Sequence, residues 1–230
     1  MPYFEPRTVS AGRPSRRDSL PGTWLDDRFL IEAQIATGGF GAIYRARTRG
    51  GAAVALKVLH PSLTDDPSTV ARFRREGATL TQLHDPHTVT MLAAGETGDG
   101  TLYIAMELLS GETLHDRMLR ERVLLWQNAV AIARAVCSSL AEAHALGVVH
   151  RDLKPGNLHV ERRAGADFVK VIDFGIVKLV RGSAIDDGRE LTFAGHMIGT
   201  CDYMSPEQIT GGPATRRPTS TRSVSCSTRC

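Results

Sequence analysis

The chain has 230 residues, with 28 Lys plus Arg against 25 Asp plus Glu and a formal net charge of +3. That length is enough for a sizeable core, and so weak a charge does not point to nucleic acid or to a membrane surface as partner. Only four of the basic residues are lysine (Lys57, Lys154, Lys170, Lys178), an arginine bias that fits GC-rich codons and hence a bacterial gene.

Residues 1–24 are rich in Pro, Arg, Ser and Gly without periodicity and read as a flexible arm. Strands follow at 29–36 and 41–47, on either side of the glycine-rich turn Thr37-Gly38-Gly39-Phe40-Gly41. A third, at 52–59, shows apolar alternation. Asp65-Asp66-Pro67-Ser68 reads as a helix start, with acids and proline in the first turn. The helix runs to about residue 83, with Val70, Phe73, Gly77 and Leu80 on one face. Strands at 89–94 and 101–107 are joined by a Gly-rich turn at 96–100. After Ser110-Gly111 the pattern becomes helical, and 126–146 is an amphipathic helix ending at Gly147, a cap position. The order, strands and one helix followed by helices, gives an α+β chain whose small β-rich unit precedes a helical one.

The chemistry concentrates between the helix and residue 175. Val149-His150-Arg151-Asp152-Leu153-Lys154-Pro155-Gly156-Asn157 is followed by Ile172-Asp173-Phe174-Gly175. A carboxylate, an ammonium, an amide and a second carboxylate recur there in fixed order. Phosphoryl transfer from a magnesium nucleotide needs that set: a base for the hydroxyl, a cation for the phosphate and oxygen ligands for the metal. The two loops resemble the catalytic and magnesium loops of the eukaryotic-type protein kinases, and Lys154-Pro155-x-Asn157 resembles the serine/threonine subgroup. The likeness covers about residues 28–212, and the chain is identified as a member of the bacterial eukaryotic-like serine/threonine protein kinases.

The resemblance implies a two-lobed fold and roles for named residues. Asp152 is the expected general base and Lys154 neutralises charge on the moving phosphoryl group; Asn157 and Asp173 hold magnesium. Lys57, in Val54-Ala55-Leu56-Lys57, is expected to hold the nucleotide phosphates and to pair with Glu76 of the first helix, a pair that breaks when the helix swings out. Gly38, Gly39 and Gly41 fold over the phosphates, with Ala36 where the family has its first glycine. These glycines lie between two strands, which excludes a Rossmann dinucleotide site. Ile35, Ile43, Ala55 and His159 are expected to line the adenine site, with Met106 as gatekeeper and the backbones of Glu107 and Leu109 pairing with the adenine edge. The family has an aliphatic residue where this chain has His159. Arg151, beside Asp152, implies control by a phosphate in the loop 178–205. Thr192 is the favoured acceptor there, and Thr200 belongs to the substrate-binding end of that loop, where Cys201 replaces the usual proline. The implied cofactors are ATP and Mg2+, with Mn2+ as a substitute. The implied partners are proteins with Ser/Thr acceptors, including self-phosphorylation in trans, and not nucleic acid.

After Gly212 the kinase pattern stops. Residues 213–230 are rich in Thr, Ser, Arg and Cys and show no helical period. Read from the third base of each preceding codon, Thr219-Ser220 gives xTC, Ser220-Thr221 gives xAC and Ser223-Val224 gives xGT. With chosen degenerate bases the run spells the start of an apolar helix like the one that anchors the large lobe in the family. The reading is therefore four segments: an arm (1–24), a small lobe with hinge (25–109), a partial large lobe (110–212) and an out-of-frame tail (213–230) caused by a one-base deletion near the codon of Thr215. An incomplete lobe is expected to leave an apolar face exposed on the 126–146 helix and to make the chain poorly stable. The alternative functions are a truncated, inactive fragment or a nucleotide-binding pseudokinase. Cys137, Cys201, Cys226 and Cys230 form no C-x-x-C pair, which fits a reducing compartment. With no membrane-length apolar run and no signal-peptide core, the expected location is the cytoplasm, a span downstream in the intact gene aside.

Overall fold

The computed structural model describes residues 20–38, 41–61 and 67–174. Gly39, the loop 178–205 with Thr192 and Thr200, and the tail after Gly212 lie outside these described residues. The element order is β1 (Trp24–Leu25), β2 (Phe29–Gly38), β3 (Gly41–Thr48), β4 (Ala53–Leu59), α1 (Pro67–Leu80), β5 (Met91–Glu96), β6 (Leu102–Glu107), β7 (Glu112–Thr113), α2 (Leu114–Glu121), α3 (Trp126–Ala145), β8 (Leu158–Arg163) and β9 (Ala166–Val171). An antiparallel sheet in the order β1-β2-β3-β4-β6-β5 forms the small lobe, and β7-β8-β9 form a second sheet under it.

Alternation along the strands sorts the small lobe into two faces. Val54, Leu56 and Val58 of β4 join Tyr103 and Ala105 of β6 and Ala42, Tyr44 and Ala46 of β3 in one apolar cluster. Ala55 and Leu59, with Leu102, Ile104 and Met106, point the other way into a core that continues through Phe73 and Leu80 of α1 to Ile132, Val136 and Ala143 of α3. Lys57 sits between Ala55 and Leu59, so its side chain emerges on the face that looks toward α1 and the large lobe. Residues 20–24, read as part of the arm, join the sheet instead: Gly22 N–H donates to the Ile31 carbonyl and Ile31 N–H to the Thr23 carbonyl.

Helix α1 begins at Pro67 as expected and buries Phe73, Gly77 and Leu80; Val70 is partly buried against the same core. The segment after it is fastened to α3. Glu142 accepts from the His84 and Asp85 backbones, Ser138 donates to Asp85, and Thr88 and Ser139 share a buried hydroxyl bond of 2.7 Å. Helix α3 ends at Ala145 and the chain turns out at Gly147, φ +81. Trp126 and Val130 of α3, with Leu125 just before it, are among the exposed large apolar side chains of the described residues. No helix among the described residues is long and apolar enough to cross a membrane.

The sequence reading missed α2 and the β8–β9 hairpin as separate elements. Helix α2 carries a cap signal, Thr113-x-x-Asp116: the Thr113 hydroxyl accepts from the Asp116 N–H and donates to its carboxylate. Arg117 of α2 is buried, and its guanidinium joins Asp167 of β9 at 2.5 Å and Glu112 of β7 at 3.2 Å, tying the helix to the lower sheet.

Gly111, just past the β6 end of the small lobe, has φ +108, and a Cβ there would lie 2.2 Å from the Val160 carbonyl oxygen of β8. Gly111→Ala therefore adds both a disfavoured backbone conformation and a clash with main chain, at a combined cost of about 3 kcal/mol. A drop of several degrees in melting temperature is expected, and an unchanged melting curve would contradict this geometry.

Candidate active site

The sheet brings four expected residues into two cross-strand rows. Ile43, Lys57 and Ile104 stand opposite one another across β3, β4 and β6, and Ala55 stands opposite Met106. Ala55 and Met106 are buried, whereas Ile35 on β2 is 51% exposed, at a lip and not in the floor. Gly41 opens β3 where a Cβ would lie 2.1 Å from the Val58 carbonyl oxygen, so only glycine lets β3 run that close to β4. Gly38, at the other side of the turn, is exposed with open space around it.

The lower half of the site is built on the β8–β9 hairpin and the loop before it. Strand β9 is fixed at its end by small-lobe main chain: Val171 N–H donates to the His87 carbonyl at 2.7 Å and Val89 N–H to the Val171 carbonyl at 3.0 Å. The Ile172 N–H then donates to the Asn157 carbonyl, joining the two loops. Buried His150 accounts for their mutual orientation. Its Nε2 faces the Ile172 carbonyl at 2.9 Å and so must donate; its Nδ1 faces the Asp152 N–H at 3.3 Å and so must accept. The ring also packs on buried Phe174, with centroids 4.8 Å apart. His150 is thus a spacer between the loops, as expected of a structural histidine.

Asp152 is the hub of the catalytic loop. Its Oδ2 lies 3.0 Å from Lys154 Nζ and 3.0 Å from Asn157 Nδ2, which also donates to the Asp152 carbonyl at 2.7 Å. Those bonds use the amide nitrogen of Asn157, and its carbonyl oxygen remains to ligate a metal. Asp173 offers a carboxylate on the adjacent loop. Two such oxygens suit a hard divalent cation that takes its other ligands from phosphates and water, so this donor set fits Mg2+. Arg151 and Asp173 both adopt left-handed backbone, φ +62 and +57, although neither is glycine.

One expected pairing is not formed. Lys57 Nζ lies 2.5 Å from Asp173 Oδ1, while Glu76 pairs with its neighbour Arg75 at 3.4 Å. The Glu76 carboxylate also lies within electrostatic range of Arg151. Burial pulls the Arg151 guanidinium below its ordinary range, Glu76 opposes that, and the charge of Arg72 adds to it. The reason is local. Lys57 and Asp173 face each other where β4 overhangs the end of β9, with the lysine side chain only 13% exposed, so the nearest carboxylate takes it. The next residue, Phe174, is buried.

Glu107, expected at the hinge, ends β6, and its side chain makes contacts the sequence did not show. The carboxylate of Glu107 receives Lys170 Nζ of β9 at 2.5 Å and the Thr90 N–H at 2.7 Å. Burial pushes the Glu107 carboxyl up, but the bonds from Lys170 and Thr90 outweigh it and the net shift is down. His159 Nε2 lies 3.0 Å from the carbonyl of Ser110.

The family model for the protein kinase domain matches residues 29–226. The chain belongs to the protein kinase family. The match runs past Gly212, where the sequence reading had ended the resemblance. Among curated proteins, this kinase chain is 44% identical over 202 residues to a serine/threonine-protein kinase, pkn3, of Myxococcus xanthus, covering 87% of the chain and 37% of that protein. It is 35% identical to the serine/threonine-protein kinase PknL of Mycobacterium tuberculosis, covering 87% of the chain and 48% of the relative. The chain thus spans less than half the length of these curated kinases. A crystal structure of the Mycobacterium tuberculosis PknI kinase domain superposes with a TM-score of 0.60 at 30% identity, over 67% of this chain and 62% of that one. Another of the same kinase domain gives 0.65 at 26% identity, over 85% and 68%. Kinases of this family use ATP and a divalent metal in general, and the two-lobed fold is that of the family.

Proposed function

We propose that this chain transfers the γ-phosphoryl group of ATP to serine and threonine hydroxyls of proteins. The observation that carries the reading is the Asp152 carboxylate, held between Lys154 and Asn157, on a loop hydrogen-bonded to the one that presents Asp173 to Lys57. In this reading Lys57 holds the nucleotide phosphates, and Asn157 and Asp173 hold the metal. Bound Mg2+ would screen the phosphate charge. Asp152 orients the acceptor hydroxyl and takes its proton as the new O–P bond forms and the β,γ-bridging bond breaks. The ammonium of Lys154 offsets the charge carried by the moving group. The purine lies against Ala55, Met106 and Ile43 and pairs with the backbone of Glu107 and Leu109, while the His159 ring is taken up by the Ser110 carbonyl.

Acceptor proteins, and self-phosphorylation in trans at Thr192 with Arg151 receiving the phosphate, complete the proposal. In this reading the segment works in the cytoplasm, where ATP is supplied. The out-of-frame reading of residues 213–230 is tested by resequencing the gene across those codons. The function is tested by incubating the full chain with Mg2+, γ-labelled ATP and a mixed Ser/Thr/Tyr polypeptide, followed by phosphoamino-acid analysis. Label on Ser or Thr is expected. Label on Tyr alone, or none from a chain that binds ATP, would sink the reading. The second outcome would favour the nucleotide-binding pseudokinase.

A further inference from the structure

Two polar side chains outside the reacting groups converge on the hinge from below. His159 of β8 and Lys170 of β9 are direct cross-strand partners, so their side chains leave the hairpin on the same face. Lys170 is 4% exposed; its ammonium donates to the Glu107 carboxylate at 2.5 Å and to the Thr88 carbonyl at 3.1 Å. That places it at the first residue of the hinge. His159 reaches the last: its Nε2 meets the Ser110 carbonyl at 3.0 Å and must be the donor there. The two anchor points bracket half-buried Leu108 and Leu109. Upper restraints act at the same place, since Glu107 also exchanges bonds with Thr90: its N–H donates to the Thr90 carbonyl and its carboxylate accepts the Thr90 N–H.

We propose that Lys170 and His159 act as a two-point clamp that fixes the hinge backbone and thereby sets the preference of the pocket for adenine over guanine. The inference rests on the nucleotide site described under the proposed function. Adenine presents an amino donor and a ring-nitrogen acceptor to the hinge, whereas guanine presents a carbonyl acceptor and a ring N–H donor. A hinge whose peptide groups cannot turn leaves two mismatched polar contacts with guanine, and such mismatches discriminate strongly. A hinge free to rotate a peptide re-pairs with either base. Breaking a buried ion pair at one end, or a hydrogen bond at the other, supplies that freedom. Lys170 and His159 are positioning residues in this account, since they hold backbone that would touch the base.

The test is a fluorescence titration of the full chain with N-methylanthraniloyl ATP and with the corresponding GTP derivative, both with Mg2+, alongside thermal melting. For the wild-type chain, tighter binding of the ATP derivative is expected. Lys170→Met is expected to weaken the ATP derivative about tenfold and the GTP derivative much less, so that the ratio collapses. His159 is half-exposed, so His159→Leu disturbs the fold little, and it is expected to lower the ATP-to-GTP ratio at least about threefold while His159→Gln, which retains a donor, keeps it. Should Lys170→Met not fold, the two His159 variants decide the matter. An unchanged ratio in His159→Leu, or equal weakening of both nucleotides in every variant, would overturn the clamp while leaving the site intact. No binding of either derivative by wild type would overturn the nucleotide site, and the clamp with it.

Discussion

Asp152→Asn is expected to lower phosphoryl transfer by about 10³-fold or more while leaving nucleotide affinity within a few-fold, because the loss of a positioned general base falls on the reacting hydroxyl and not on the nucleotide. The structure sharpens this expectation. Asp152 Oδ2 is the acceptor for both Lys154 and Asn157, and an amide oxygen at that position still accepts from both. The substitution therefore removes charge and basicity with little loss of geometry. Transfer rates and equilibrium titration of the same preparations separate the two effects. If transfer persists at the wild-type rate, Asp152 is not the base. If both activities vanish together with the melting transition, the loop was being held up by the carboxylate charge.

A comparable effect, with the opposite split, is expected at Lys57. Lys57→Met removes the ammonium that faces Asp173 at 2.5 Å, leaving a half-buried carboxylate without its cation and the nucleotide phosphates without theirs. Nucleotide affinity should fall about 10²-fold, with transfer falling further. Glu76→Gln gives the contrast. Because Glu76 pairs with exposed Arg75 and not with Lys57 in this state, its neutralisation should leave nucleotide affinity nearly unchanged and reduce transfer only. Equal losses of affinity in both variants would show that the Lys57–Glu76 pair, absent from the described geometry, dominates in solution.

These residues also show where the sequence was sufficient. Strands β3, β4 and β6 were legible as short runs between turn signals, and alternation in β4 sets Ala55, Lys57 and Leu59 on one face; the rows that set Lys57 beside Ile43 and Ile104, and Ala55 opposite Met106, needed the register. The order of Asp152, Lys154, Asn157 and Asp173 was legible for a different reason: few unrelated demands place those groups at that spacing. The choice of partner for Lys57 was not legible. It depends on whether α1 or the end of β9 comes nearer, a tertiary distance of a few ångström that propensity does not encode. Lys170 and Glu107 were hidden for the same reason. Sixty-three residues separate them, and a lysine in an apolar strand reads as an edge until the hairpin folds under the hinge. The β8–β9 hairpin was passed over because its turn, Ala164-Gly165, holds an alanine at φ +48 where Asn or Gly would announce the turn.

Arg151 and Asp173 spend their time in left-handed backbone that side chains other than glycine disfavour, each at a cost on the order of 1 kcal/mol. They flank His150 and Phe174, whose rings pack 4.8 Å apart, and their proposed roles are to receive a loop phosphate and to hold metal. A laboratory selection for heat resistance alone would find this out quickly. Glycine or asparagine at either position relaxes the main chain, and such variants would accumulate as gains in robustness. Thermostability and competence would then part company at the same two codons, and a library screened only for survival on heating would harden the fold while erasing its reason for existing.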